Sequence, residues 1–124
     1  MNLVDSCGWL EYFADGPNAG FFASPLENTD KLLVPTICIL EVFKRILQQR
    51  GDDAALQSAA IMQQGQVVEL NTGISLEAAR LSYKIGLPLA DSVILATAQM
   101  YKAVIWTQDA DFKNLENVKY TAKR

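Results

Sequence analysis

The chain has 124 residues, 50% of them hydrophobic, which is enough for one folded domain with its own core. Its net charge of -3 excludes a global positive field, so any contact with nucleic acid must be local. No apolar run approaches the roughly 20 residues of a membrane span. The N-terminus does not resemble a signal peptide, because the acid Asp5 follows the first four residues. A cytoplasmic protein without a membrane segment is therefore predicted.

The chain contains no histidine. This absence excludes a histidine general base, a Ser-His-Asp triad and every histidine-ligated zinc site. Carboxylates and hydroxyls are left as the chemical groups. The two cysteines, Cys7 and Cys38, lack the spacing of metal ligands and have apolar neighbours in the sequence, so both are predicted to be reduced thiols in the core.

The first part of the chain predicts a strand followed by helices. Residues 3–4 form a short apolar run, and the apolar residues after them recur at helical spacing until Pro17. A second, short helix is predicted over residues 18–23, with Pro25 as its limit.

The middle of the chain repeats the order of strand and helix. Residues 32–34 predict a strand, and the segment after Pro35 predicts a helix with an apolar stripe formed by Ile37, Leu40, Phe43 and Leu47. Residues 52–64 predict another helix, and residues 67–70 predict the strand that follows it.

The last third begins with a predicted helix over residues 75–84. A buried apolar helix follows over residues 88–101, and residues 103–107 are the most strand-like run of the chain. Residues 118–121 predict an edge strand. Because parallel strands need crossover connections, this alternation predicts an α/β fold with a parallel sheet and helices on both faces.

Four acidic residues have local explanations when each is considered alone. Asp5 can cap the helix after the first strand, and Asp109 can close a turn. Glu41 can pair with the basic residues three and four positions further along its helix. Asp91 lies in a first helical turn, where the helix dipole favours negative charge.

Together the four acids indicate a site. Asp5 and Asp109 each end a strand, while Glu41 and Asp91 lie in early turns of helices, so all four can converge at the carboxyl edge of the sheet. Two carboxylates about 4 Å apart repel by roughly 4 kcal/mol at an effective dielectric constant of 20. Such a cluster needs protons or a divalent cation, and an all-oxygen site suits Mg²⁺ or Mn²⁺.

Each of the four acids stands in a short sequence motif. In chain order the motifs are Asp5-Ser6 with Trp9, Glu41 after Pro35-Thr36, residues 88–98 around Asp91, and residues 107–112 around Asp109. In this order and spacing they resemble the PIN domain and, more narrowly, the VapC-type toxin ribonucleases of toxin-antitoxin pairs. The resemblance covers nearly the whole chain. It implies a three-layer α/β/α domain with a central, mostly parallel sheet over residues 1–124.

The resemblance also implies the roles of the site residues. Asp5, Glu41, Asp91 and Asp109 would be the catalytic acids around one or two Mg²⁺ or Mn²⁺ ions. Ser6 and Thr107 would support them, Thr107 by hydrogen bonding. Asp111 is left open between a further ligand and a solvated aspartate in a turn.

The function implied is metal-dependent hydrolysis of RNA phosphodiester bonds by the toxin of a type II toxin-antitoxin pair. A VapB-like antitoxin would cover the acidic site near the apolar residues of the first two helices, and a homodimer is expected. The alternatives are a PIN-domain RNA-processing nuclease without an antitoxin and a catalytically silent binding domain whose acids only cap helices. A receiver domain is disfavoured, because Asp5 has no paired acid and the last strand of the sheet core ends in Thr107 rather than a lysine.

The basic residues are scattered along the chain. Any of them can contact RNA phosphates, and most are expected to be ordinary surface charges. The candidates are Lys44, Arg45, Arg50, Lys84, Lys102, Lys113, Lys119, Lys123 and Arg124.

Overall fold

The computed structural model describes all residues from 1 to 124. Its centre is a five-stranded sheet in the order β3-β2-β1-β4-β5, and every pair of neighbouring strands is parallel. The strands are β1 (Asn2–Val4), β2 (Leu32–Pro35), β3 (Gln66–Val68), β4 (Val104–Thr107) and β5 (Val118–Tyr120). The predicted parallel sheet is confirmed.

Six helices connect the strands and complete a three-layer α/β/α arrangement, as predicted. They are α1 (Ser6–Phe13), α2 (Ala19–Leu26), α3 (Thr36–Arg50), α4 (Asp52–Met62), α5 (Thr72–Ile85) and α6 (Leu89–Tyr101). Short 3₁₀ turns cover Thr29–Lys31 and Ala110–Phe112. None of the helices has the combination of length and hydropathy that a membrane crossing requires.

The core lies around the two central strands. Leu3 and Val4 of β1 and Leu33 and Val34 of β2 are completely buried. β1 is paired on both sides, with Val4 opposite Trp106 of β4. This register brings the residues that follow β1 and those that end β4 to the same edge of the sheet, which is where the site is built.

The predicted apolar stripe of α3 is confirmed for Ile37 and Phe43, which pack against the core, and is wrong for its other two residues. The buried residues of this helix are Cys38, Val42 and Ile46, whereas Leu40 is 60% exposed and Leu47 is 41% exposed. Both sets follow helical spacing, because α3 is apolar on more than one side. The face that packs on the sheet is therefore rotated from the predicted one, and part of the predicted stripe is a surface.

Several element limits also differ from the prediction by one to three residues. Helix α2 continues through Pro25, which has no N–H to donate to the preceding turn, and the helix ends one residue later at Leu26. Helix α5 begins at Thr72, because the side chain of Asn71 accepts a hydrogen bond from the backbone N–H of Ile74 at 2.9 Å and caps the helix. Strand β3 ends at Val68, two residues before the predicted end.

Candidate functional site

Asp5 follows β1 and is buried, with only 2% of its surface exposed. Its Oδ1 accepts a hydrogen bond from the backbone N–H of Gly8 at 2.8 Å and so caps α1, as the local interpretation predicts. Its Oδ2 accepts a hydrogen bond from the Thr107 hydroxyl at 2.5 Å. Both oxygens are held, so the carboxylate has one fixed orientation at the edge of the sheet.

Thr107, the last residue of β4, links Asp5 to Asp109. Its hydroxyl oxygen accepts a hydrogen bond from the backbone N–H of Asp109 at 2.8 Å while its proton is donated to Asp5. Asp109 in turn accepts a hydrogen bond from the backbone N–H of Asp111 at 2.9 Å and caps the 3₁₀ turn. One fully buried hydroxyl thus positions two acids that are 104 residues apart in the sequence.

Asp91 reaches the same place from the first turn of α6. One carboxylate oxygen from each of Asp91, Asp109 and Asp111 lies within 4.8 Å of the others. Asp91 and Asp109 are half-buried, and Asp111 is exposed. The structure therefore brings Asp111 to the site as a third carboxylate on its solvent side.

Glu41 is placed differently from the other acids. It lies on α3 and accepts a hydrogen bond from the hydroxyl of Ser6 at 2.7 Å, and it belongs to neither group of close ligand atoms. The alternative of an ion pair with the next turn of α3 is wrong, because the only ion pair in the structure joins Arg80 and Glu77. The hydrogen bond from Ser6 joins Glu41 to the first turn of α1. The charge of Glu41 contributes to the raised pKa of Asp5 and of Asp91.

Cys7 is a second departure from the prediction. Its Sγ atom and one oxygen each of Asp5 and Asp109 lie within 4.8 Å of one another, and the residue is half-buried. It is therefore part of the site and not a core thiol. Burial raises the pKa of the Cys7 thiol to about 12, so the group is protonated at neutral pH. Cys38 is completely buried, as predicted.

The position of Cys7 was available as a signal in the sequence. It lies two residues after a strand-ending aspartate, in the first turn of the following helix. Side chains in that turn lie beside the carboxyl edge of a parallel sheet, where sites are built.

Two acids of the site, Asp5 and Asp91, have raised pKa values, mainly because they are buried. Burial raises the pKa of Asp5 from its ordinary value of 3.8 to about 6, against the hydrogen bonds from Thr107 and Gly8, which lower it. Burial and then the charge of Asp109 raise the pKa of Asp91 to about 7. Without a counter-cation, the ionised cluster is therefore costly.

The ligand atoms fit a divalent metal. They form two groups that share Asp109: Asp5 with Cys7, and Asp91 with Asp111. Carboxylate oxygens are the ligands that Mg²⁺ and Mn²⁺ prefer, and the chain has no histidine to favour zinc. A cation bound among these residues would offset the repulsion between their negative charges.

Solved structures with the same architecture include three from toxin-antitoxin systems. A toxin-antitoxin complex from Klebsiella pneumoniae is 20% identical, with a TM-score of 0.80 and 96% of each chain covered. The toxin VapC20 of Mycobacterium tuberculosis, which cleaves the sarcin-ricin loop, is 16% identical, with a TM-score of 0.81 over 95% of this chain and 97% of that one. VapBC2 of Rickettsia felis, bound to a promoter DNA fragment, is 11% identical, with a TM-score of 0.75 over 98% and 97%.

The sequence itself also matches a family. No curated protein is similar enough to be reported as a relative. The family model of the PIN domain matches residues 3–118, a span that includes every acid of the site. The chain therefore belongs to the PIN-domain family.

Proposed function

We propose that this chain is a Mg²⁺- or Mn²⁺-dependent endoribonuclease in which Asp5, Asp91 and Asp109 hold the metal. The observation that carries the proposal is the convergence of three acids from separate elements at one sheet edge, with the most buried one fixed at both oxygens. Glu41 is proposed as the fourth catalytic acid, held by Ser6. Asp111 is proposed as an additional ligand on the exposed side.

The residues of the site have separate roles in the proposed reaction. Asp5, Asp91 and Asp109 would hold the cation, whose chemistry when bound would be to lower the pKa of water and to offset the negative charge of the phosphodiester and the leaving oxygen. Thr107 keeps Asp5 and Asp109 in fixed orientations, so that little reorganisation is needed when the cation binds. Burial raises the pKa of the Cys7 thiol, which disfavours the thiolate that a cysteine nucleophile needs, and the chain has no histidine base. Direct attack by water, without a covalent intermediate, is the chemistry that remains.

We further propose that the chain is the toxin of a toxin-antitoxin pair and acts in the cytoplasm. The support is the PIN-domain match, together with the architecture it shares with a toxin-antitoxin complex and with VapC20. Its partner would be a small VapB-like antitoxin that covers the acidic edge. Induced expression is expected to arrest growth, and co-expression of a small gene immediately upstream is expected to restore it. Growth arrest that persists with a catalytically inactive chain would contradict a nuclease toxin.

The purified chain is expected to cut 5′-labelled RNA with Mg²⁺ or Mn²⁺ and to stop when EDTA is added. The reason is that, without a cation, nothing at the acidic site compensates the negative charge of the phosphodiester and of the leaving oxygen. Gel analysis of the products, with the metal restored after EDTA, checks this result. Cleavage that continues undiminished in EDTA would contradict the metal-dependent mechanism.

The exposed apolar face of α3 supports the expected homodimer. Leu40 and Leu47 line an open cavity of about 540 Å³ with Ile39 and Phe43, and we propose that a second copy covers it. Light scattering should then give a dimer for the wild type and a monomer for Leu40→Glu/Leu47→Glu. Leu56→Glu, at a leucine of α4 that is 54% exposed, should remain dimeric. A monomeric wild type would contradict the proposal.

A further inference from the structure

A groove of about 400 Å³ lies between α1 and α3, beside the acidic site. Its apolar surface comes from Leu10 and Phe13 of α1 and Ile46 of α3. Phe13 is half-buried and stacks on Trp9, with the ring centroids 5.6 Å apart, so its ring is held rigidly. The groove is therefore partly apolar, with an aromatic ring in its wall.

Three cations line the same groove: Arg45 and Arg50 of α3 and Lys123 of the C-terminal tail. None of them has a carboxylate within ion-pair distance, because the only ion pair of the structure is elsewhere. Glu11 is the only acid in the wall, and its carboxylate accepts a hydrogen bond from the backbone N–H of Asn18 at 2.7 Å. The local charge of the groove is positive, although the whole chain is negative.

The groove continues into the acidic site. Cys7, whose sulfur lies beside Asp5 and Asp109, also lines the groove, and so does Gln108. The buried side chain of Asn18 donates hydrogen bonds to Gln108 Oε1 at 2.8 Å and to the carbonyl of Ala122 at 3.0 Å. This clamp fixes the backbone of the tail next to the site, and the exposed side chain of Lys123 lines the groove.

We propose that the α1–α3 groove is the path of a single RNA strand that enters or leaves the acidic site. The inference rests on the proposed nuclease function and names the part of the surface that holds the substrate. Arg45, Arg50 and Lys123 contact phosphates, and the apolar wall with Phe13 contacts bases or riboses. A positive groove with an aromatic wall is the arrangement that binds single strands without strong sequence preference.

The spacing along α3 fits this path. At 1.5 Å of rise per residue, Arg45 and Arg50 are about 7.5 Å apart along the helix axis, and Glu41 lies about 6 Å before Arg45. The helix thus presents an acid near the site and cations further away. An extended strand with its scissile phosphate at the acids would place neighbouring phosphates beside the arginines.

The test measures RNA binding without cleavage. The full chain carrying Asp5→Asn is titrated against a fluorescein-labelled 12-nucleotide RNA of mixed sequence, and anisotropy is followed at several salt concentrations. Adding Arg45→Gln and Lys123→Gln should weaken binding at least about 10-fold at low salt. It should also reduce the slope of log K against log salt by about 1.4, since each lost phosphate contact on a single strand accounts for about 0.7.

The matched control removes the same charge at two cations outside the groove. Lys31 precedes β2, and Arg80 lies on α5, where it pairs with Glu77, so Lys31→Gln/Arg80→Gln should change the affinity less than about 2-fold and leave the slope intact. The proposal is overturned if the groove and control variants bind alike, or if the Asp5→Asn chain binds no probe at about 100 µM. The proposal is also overturned if the groove variant keeps its affinity for the RNA probe and loses only its affinity for the antitoxin. Wild-type cleavage, assayed separately, shows whether the nuclease function itself has failed.

Discussion

Asp5→Asn will reduce the rate of metal-dependent RNA cleavage by at least about 100-fold and leave the protein folded. Asparagine keeps the side-chain oxygen that caps α1, and its amide can donate to the Thr107 hydroxyl, so the local structure has a substitute for each hydrogen bond. The charge that a cation needs is lost. Initial rates with saturating Mn²⁺, together with circular dichroism of the same samples, measure both parts.

Asp30→Asn is the matched control for this substitution. Asp30 is exposed in the 3₁₀ turn that precedes β2, at the edge of the sheet opposite the site. The Asp30→Asn variant should cleave RNA at the wild-type rate, because the same chemical change at this position removes no metal ligand. If Asp5→Asn stays folded and cleaves as fast as Asp30→Asn, Asp5 is not a metal ligand and the proposed centre is wrong.

The parallel sheet and the position of the acids at its edge were predictable for a physical reason. A carboxylate at or just after the end of a short apolar run lies where a strand ends, as Asp5 does directly after β1 and Asp109 does two residues after β4. All strands of a parallel sheet end on one side, so the sequence order of such acids already implies that they are close. The short apolar runs were long enough to be identified as strands, because a strand that is buried on both faces is a continuous apolar segment.

The rotation of α3 and the place of Cys7 were not predictable in the same way. Cys38, Val42 and Ile46 compete with an equally spaced apolar set on the same helix, and only the packing partners decide which set is buried. The place of Cys7 two residues after Asp5 indicates that it is near the site, but its apolar neighbours suit a core residue equally well, and only the rotation of α1 turns its sulfur toward Asp5. Both outcomes depend on how a helix is rotated about its axis, which spacing alone leaves open.

Without divalent metal, the wild-type protein will lose stability as the pH rises from about 4 to about 8. The folded-state pKa values of Asp5 and Asp91 are about 6 and about 7, while the ordinary value is 3.8. Between these values the folded protein holds protons that the unfolded chain releases, so raising the pH favours unfolding. The stability contributed by the protonated acids is complete below about pH 4 and is lost as the pH passes the folded-state pKa values.

The expected size of the loss is about 3 kcal/mol from Asp5, since one pKa unit corresponds to about 1.4 kcal/mol and this residue is buried. Asp91 contributes less per unit, because it is half-exposed and solvent screens its charge. Thermal melts in EDTA across this pH range measure the effect as a fall of several degrees in Tm. Asp5→Asn/Asp91→Asn should give a flatter profile and a higher Tm at pH 8, whereas Asp30→Asn should keep the wild-type slope.

Saturating Mg²⁺ or Mn²⁺ should reverse the sign of this dependence. A cation binds the ionised carboxylates of the folded protein only, so its stabilisation grows as the pH rises and the protons leave. The advantage of Asp91→Asn in EDTA should then shrink or become a disadvantage. Equal effects of Asp91→Asn with and without metal would mean that the carboxylates share no cation, and the repulsion at this sheet edge would have no role in catalysis.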